Sequence, residues 1–544
     1  MTSELLSSLP SSLSPYLTTD RLPKVLVATT LTYAVTKYII YNLYLHPTAR
    51  IPGPSVDWIP FLGNMREIIR EESGVPHKKW LKKYGGIVVY HMLWNKPRVM
   101  VSDPSLLKEV LTHHVYDYTK TPEGSKFLTL LLGNGLLVAE GDVHRQQRKQ
   151  LNPAFSLQSI RELVPVMFVP PVQLLDRWKQ EYAERKDNNG LMEMNISEWM
   201  SHVTLDIIGL AGFGQEFLAV KHEGSTDHVN KLSWAYRHLF DPTGSNFERF
   251  LRFLIPGYRY LPTRRNLDFR KALGMLHEES LAVVQRGIER AKTTSRQDNL
   301  LALMINLVDE SGNGMSVEEL RNQCLTFLAA GHETTAVSLS WTLWLLAQNQ
   351  DIQDALREEV TPMFANLDFT HRMFHDDPFD TTGHNLPSFE AINNLHLLNN
   401  VCKESSRLLP VVPVTSRVAT KDVTLGGHFI PKNTAIFLPL IVNHNSKELW
   451  GEDAEEFRPA RWDESEASRA GPYDFLPFLA GGRQCIGNRF AMIELKIILG
   501  LLITNFQFFE KPGFVPRKRQ ELTMRPSPYM TLLVKPVVSS SVEA

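Results

Sequence analysis

Phe478, Gly481, Arg483, Cys485 and Gly487 read Phe-x-x-Gly-x-Arg-x-Cys-x-Gly within a single short stretch. A thiolate is a soft, strongly donating ligand, so a cysteine set in such a turn is a candidate axial ligand for a haem iron. An amphipathic run with helical periodicity extends from Ile486 to about Asn505. A sulfur at a helix N-terminus meets the positive end of the helix dipole and unpaired backbone N–H groups, which favour thiolate over thiol. The flanking glycines let the backbone turn tightly and approach a flat group that a Cβ would obstruct. Arg483 can donate to a carboxylate of that group, a haem propionate. The bland alternative is a structural cysteine in a glycine-rich turn ahead of a helix.

A second candidate set is Ala330-Gly331-His332-Glu333-Thr334-Thr335. Ser316-Val317-Glu318-Glu319 reads as a capping box, with Met315 and Leu320 as its hydrophobic staple, so a helix begins there. Helical composition runs to about Gln348, a helix of roughly 50 Å at 1.5 Å per residue. A mid-helix glycine costs about 1 kcal/mol against alanine, and two β-branched threonines weaken the helix further. The sequence therefore predicts a local distortion that opens a groove beside Thr334. His332-Glu333 also begins like a zinc-protease helix, but Ala336 stands where the second histidine must be.

Together these segments resemble the cytochrome P450 superfamily of haem-thiolate monooxygenases, of the eukaryotic microsomal type and in the style of its fungal members. Phe478 to Gly487 resembles the family's haem-binding loop, and Ala330 to Thr335 resembles its oxygen-activation motif. The resemblance implies Cys485 as axial ligand to the haem iron and Phe478 beside the cofactor. Thr334 would hydrogen-bond dioxygen, and Glu333 would relay protons to it.

Three further segments carry the likeness. Glu404-Ser405-Ser406-Arg407 matches a Glu-x-x-Arg pattern that also occurs at Glu67/Arg70, Glu318/Arg321, Glu455/Arg458 and Glu466/Arg469. Position selects it: Glu404 precedes the Pro-rich Leu409 to Val414 and lies 81 residues before Cys485. With Phe457-Arg458-Pro459-Ala460-Arg461-Trp462 it implies a buried Glu404, Arg407, Arg461 triad of structural role. Gly141 to Lys149 resembles the helix that grips the propionates, with His144 where the family carries tryptophan. His144 and Arg148 lie one turn apart and present two donors on one face. Arg417 sits where family members place another propionate arginine.

The elements that must position these residues span most of the 544-residue chain. No linker or repeat divides them, so one large, mainly α domain with a minor β region is expected over residues 47–544. Strands are expected over Gly86 to Leu93, Pro97 to Ser102, Val423 to Ile430 and Met530 to Lys535. Thr370 to Leu386, polar and rich in His, Asp and Gly, reads as a surface insertion. Residues 1–46 form an N-terminal segment in which about 25–45 is apolar enough for a membrane anchor, with Lys37 inside it and Tyr33, Tyr38, Tyr41 and Tyr44 suited to an interface. The expected location is the endoplasmic reticulum membrane, with the catalytic domain facing the cytosol. Phe250 to Leu261 is a candidate second membrane contact.

The 58 basic and 59 acidic residues leave a net charge of −1, which argues against a nucleic-acid partner. Cys324 and Cys402 make no disulfide framework and suit a reducing compartment. The implied cofactor is haem b, with NADPH acting indirectly through a reductase in trans, because the 59 residues after Cys485 are too few for a flavin module. Arg145, Lys149 and Lys496 are candidate contacts for that reductase. The implied reaction inserts one atom of O2 into a lipophilic substrate. Phe127, Ala329, Ala330, Val412, Val414 and Met530 are candidates for its apolar pocket. A haem-thiolate isomerase or dehydratase of peroxides, or a haem carrier or sensor, remain as alternatives.

Overall fold

The computed structural model describes residues 22–221, 231–239, 257–293, 298–307, 312, 314–365, 367, 385–464, 471–520 and 522–537. Most of the expected surface insertion and most of the 250–261 segment lie outside the described residues. Helix α1 (Leu22–Ala34) leads the described residues, and seven helices build and surround the site: α2 (Pro122–Leu132), α3 (Gly141–Leu151), α4 (Ile196–Ile207), α5 (Arg264–Thr293), α6 (Val317–Gln348), α7 (His396–Leu408) and α8 (Asn488–Asn505).

The central element is α6. Its capping box forms as the sequence predicts: the Glu319 N–H donates to Ser316 Oγ at 3.2 Å, and Glu319 Oε2 accepts the Ser316 N–H at 2.8 Å. The helices α4, α5, α7 and α8 all pack against it, so it is apolar nearly all round. The expected distortion is absent, and α6 runs unbroken through Gly331. Gly331 serves packing instead: a Cβ there would lie 3.0 Å from Ile208 Cδ1. The threonine hydroxyls stay within the helix by donating to carbonyls one turn back, Thr334 to Ala330 at 2.7 Å and Thr335 to Gly331 at 3.1 Å.

The minor β region falls close to the expected segments. Strands β1 (Ile87–His91), β2 (Pro97–Val101), β3 (Tyr118–Thr119), β5 (Thr415–Ala419) and β8 (Ala435–Leu438) form one sheet in the order β1-β2-β8-β5-β3. Only the β2–β8 pairing is parallel, with Val99 opposite Ile436. Val99, Val101, Ile436 and Leu438 point into a small core of their own beneath it. Val423 to Ile430 folds as a hairpin, β6 (Val423–Leu425) and β7 (His428–Ile430). Strand β12 (Thr531–Pro536) lies between β4 (Met192–Asn195) and β9 (Phe506–Glu510), and β10 (Arg517–Gln520) pairs with β11 (Met524–Ser527).

The helical path of α1 continues with wider turns over Val35–Leu45. Its far end is tied to the domain: Asn42 Nδ2 donates to the Trp94 carbonyl at 3.1 Å, and Tyr38 packs on the Trp94 ring. Leu26, Val27, Leu31, Tyr44 and Leu45 are exposed. Among the described residues, no helix is long and apolar enough to cross a membrane.

Candidate active site

The cysteine loop is held from both sides. The Cys485 N–H donates to the Phe478 carbonyl at 2.9 Å, closing the loop, and the Ala491 N–H bonds to the Gly487 carbonyl at 2.8 Å to start α8. Gly481 is the glycine that the chain itself demands. Its φ of +69° is left-handed, and a Cβ would fall 2.1 Å from the Leu111 carbonyl oxygen. A Cβ at Gly487 would meet nothing closer than Phe155 at 3.8 Å, so packing within the protein does not require that glycine.

Cys485 keeps some solvent-accessible surface, yet protein atoms crowd most of the space around its thiol. Burial raises the thiol pKa above its ordinary value; the Gly487 N–H and the Arg148 charge pull against that rise without reversing it. Cys485 lies just ahead of α8, which begins at Asn488.

Around the loop the fold gathers four cations from four segments. The Arg483 side chain is tucked against Glu140, with which it forms an ion pair, and its Nη1 donates to the Ala139 carbonyl at 3.3 Å. Lys120, just past β3, donates to Glu140 Oε1 at 3.0 Å. Arg417 on β5 is buried, and its Nη1 bonds to Thr415 Oγ1 at 2.9 Å and to the Ser416 carbonyl at 2.8 Å. Arg148 on α3 bonds to the Gln484 carbonyl, and its Nε donates to Asn152 at 3.0 Å. His144 is buried one turn before Arg148, with Nδ1 3.1 Å from the Tyr116 hydroxyl.

Electrostatics in this cluster record a missing negative charge. Burial, reinforced by repulsion from Arg483, lowers Lys120 to about 8 and Arg417 to about 10. Burial and the same cations lower His144 to about 4, which keeps the imidazole neutral. Burial would raise Glu140, but the Lys120 N–H and ammonium and the Arg483 charge outweigh it. Three of these cations, Arg483, Lys120 and Arg417, thus face one carboxylate, and among the described residues Arg483 Nε is buried without an acceptor. A group carrying two carboxylates beside a thiol-ligated metal fits this donor set, and haem with its propionates is such a group. Sequence singled out Arg483, His144, Arg148 and Arg417. It missed Lys120, Glu140 and Tyr116, which belong to no motif and are brought in by the strand order and the α3 approach.

On α6, the residues Ala330, Gly331, Thr334 and Ser338 are only half-buried on a helix whose other faces are packed. Spaced at one-turn intervals, they form a single partly exposed, open stripe. His332, Glu333 and Thr335 point elsewhere and are buried. Glu333 is in an ion pair with Arg525 on β11 and accepts from Thr523 Oγ1 at 2.8 Å. The expected acid-alcohol pair is therefore split, with the hydroxyl on the open stripe and the carboxylate clamped behind it. No motif signals Arg525, which lies 192 residues away.

The triad forms as the motif implied. Arg407 donates to both oxygens of Glu404, at 2.9 and 2.8 Å, and Arg461 Nε donates to Glu404 Oε1 at 3.3 Å. Trp462 Nε1 and the Arg458 N–H complete the shell of the carboxylate at 3.0 and 3.1 Å. Two other expectations fail. Lys496 is buried and donates to Asn393, so it offers no charge to a partner. Phe127 stacks on Phe269 toward the outer surface, and Met530 is packed in the core, so neither lines the open stripe.

The Cytochrome P450 family model matches residues 52–533. The chain belongs to the cytochrome P450 family. It is 33% identical, over 89% of its length and 88% of the relative's, to the cytochrome P450 monooxygenase sphH of Aspergillus fumigatus. It is 31% identical to the cytochrome P450 monooxygenase 128 of Postia placenta, over 95% of this chain and 98% of that one. A cytokinin hydroxylase of Arabidopsis thaliana is also 31% identical, over 85% of this chain and 83% of its own. Cytochrome P450 membership makes this chain a monooxygenase-class oxidoreductase and implies a haem-thiolate cofactor.

Proposed function

We propose that this cytochrome P450 hydroxylates or epoxidises a lipophilic substrate, with electrons delivered by an NADPH-dependent reductase in trans and Cys485 as the axial ligand of haem b. The observation that carries the reading is the cluster of Arg483, Lys120 and Arg417 around Glu140, with Arg148 on the Gln484 carbonyl beside it, next to the cysteine loop. Haem, when bound, supplies the dioxygen chemistry. The rest falls to this chain. Arg483, Arg417, Lys120, Arg148 and neutral His144 hold the propionates and orient the ring, and Phe478 closes the loop behind the sulfur. The half-buried stripe of Ala330, Gly331, Thr334 and Ser338 provides the space for substrate and excludes bulk water. Thr334 donates to Ala330, so its oxygen is left as an acceptor on that stripe until the hydroxyl rotates. Glu333 moves a proton toward Thr334 only after leaving Arg525.

The exposed apolar face of the N-terminal helix supports attachment to the endoplasmic reticulum membrane, with the catalytic domain in the cytosol. The basic residues of α3, Arg145 and Lys149, support docking of an acidic reductase face. The deciding experiment is the carbon monoxide difference spectrum of the reduced protein, paired with NADPH consumption in the presence of reductase and added lipophiles. A thiolate-type band that Cys485→Ser abolishes is expected. A band typical of imidazole ligation would reject the assignment.

A further inference from the structure

The histidine on α3 creates a requirement that tryptophan in its place does not. An indole carries its proton on one nitrogen and can only donate, whereas a neutral imidazole has a single proton that either nitrogen can hold. Burial and the charges of Arg483, Lys120 and Arg148 keep His144 neutral. A carboxylate beside this ring needs the proton on the nitrogen that faces it. Some other group must then hold the second nitrogen as an acceptor.

The fold supplies that group from outside every motif. Tyr116, two residues before β3 and 28 residues from His144 in the chain, brings its hydroxyl to 3.1 Å from Nδ1. The rings are 5.9 Å apart and inclined at 57°, so the two side chains meet through the hydroxyl and not face to face. The same tyrosine reaches the cation cluster, with the Arg483 guanidinium 5.4 Å from its ring centroid. His144 is buried, so bulk water does not stand in for the hydroxyl at Nδ1. Among the described residues, Nε2 makes no hydrogen bond and the Tyr116 hydroxyl makes no second one.

The surroundings select the direction of this bond. Were Nδ1 the donor, Nε2 would offer a lone pair amid three cations, and a buried N–H without an acceptor would be expected to take it. Arg483 Nε is such an N–H, and it is not bonded to the ring. With the phenol as donor, Nδ1 is satisfied and Nε2 carries the proton into a cluster that lacks negative charge.

We propose that Tyr116 is a positioning residue that sets the tautomer of His144: its O–H donates to Nδ1, so that Nε2 holds the proton and donates to a haem propionate. This rests on the haem reading of Cys485. The tyrosine and histidine together replace the one donor that tryptophan provides, so the exchange at position 144 requires a hydroxyl at position 116.

The test measures haem transfer from the full-length holoprotein to excess apomyoglobin, together with nitrogen NMR shifts of isotope-labelled histidine in the reduced, carbon monoxide-bound holoprotein. The His144 signals, identified by their loss in His144→Gln, are expected to show a protonated Nε2 and a bare Nδ1. Tyr116→Phe removes only the hydroxyl and should speed haem transfer by about tenfold, the scale of a buried acceptor left without its partner. His144→Gln places an amide donor near the Nε2 position with no tautomer to choose, so adding Tyr116→Phe to it should change transfer by less than about twofold. A protonated Nδ1 in the wild type would overturn the proposal. So would an equal effect of Tyr116→Phe in both backgrounds, which marks a packing role alone. The carbon monoxide band of each variant tests the haem reading separately: a thiolate-type band upholds it while Tyr116 is judged, and an imidazole-type band rejects it and the proposal with it.

Discussion

The Arg407 guanidinium donates to the His444 carbonyl at 2.7 Å, and the His444 imidazole in turn accepts the Leu476 N–H at 2.9 Å, two residues before the cysteine loop opens at Phe478. Burial, with repulsion from Arg407, lowers the His444 pKa to about 3, so the ring stays neutral and can accept. The triad thus reaches the cysteine loop through one histidine. Arg407→Ala leaves the Glu404 carboxylate buried with a main partner gone, and should cost about 3–5 kcal/mol in urea unfolding. Arg407→Lys is expected to recover little, because a single ammonium cannot span both oxygens of Glu404 and the carbonyls of His444, Ala454 and Glu456 at once. Wild-type stability in the lysine variant would show that the fork geometry is unimportant.

Gly481 gives a sharper local test. Gly481→Ala forces a Cβ into the Leu111 carbonyl and a methyl side chain into left-handed backbone. The expected result is soluble protein with little haem, read from the ratio of Soret to protein absorbance. The matching change Gly487→Ala meets no protein atom closer than 3.8 Å and should leave the unfolding of the haem-free protein unaltered.

The clamp on Glu333 is testable by a double-mutant cycle. Arg525→Ala strands a buried carboxylate and should destabilise by about 3 kcal/mol, and adding Glu333→Gln should restore much of that loss. Additive melting-temperature shifts would mean the two groups do not interact.

Glu494 on α8 is buried, and among the described residues no cation forms an ion pair with it. Burial raises its pKa well above 4.5, against a weaker opposing pull from Thr335. The folded state therefore keeps a proton that the unfolded chain releases as pH rises past 4.5. Stability from this group is full below that value and declines above it. Denaturation of Glu494→Gln from about pH 4.5 to about pH 8 should show a flatter decline than the wild type. Parallel curves would place a charge partner beside Glu494.

The cation cluster predicts how tightly cofactor is kept. Lys120→Met and Arg417→Met should each speed haem transfer to excess apomyoglobin by about tenfold or more, the value of one charge-assisted hydrogen bond. Arg145→Met, whose guanidinium is paired with Asp142 at the surface, should not.

Sequence alone determined the parts whose physics is local. The capping box at Ser316 depends on atoms within a few residues, so spacing in the chain was enough to read it. The Glu404 to Arg407 bond is likewise one helical turn long. Tertiary structure decided everything that needed distant partners. Lys120 joins the cation cluster because β3 lies beside β5 and Glu140 immediately precedes α3. Glu333 loses its free carboxylate because β11 brings Arg525 to the back of α6. Lys496 is withdrawn from solvent because α8 is buried in the core, and Gly331 is bare because Ile208 packs onto it. Helix periodicity states which residues share a face; only packing states what that face meets.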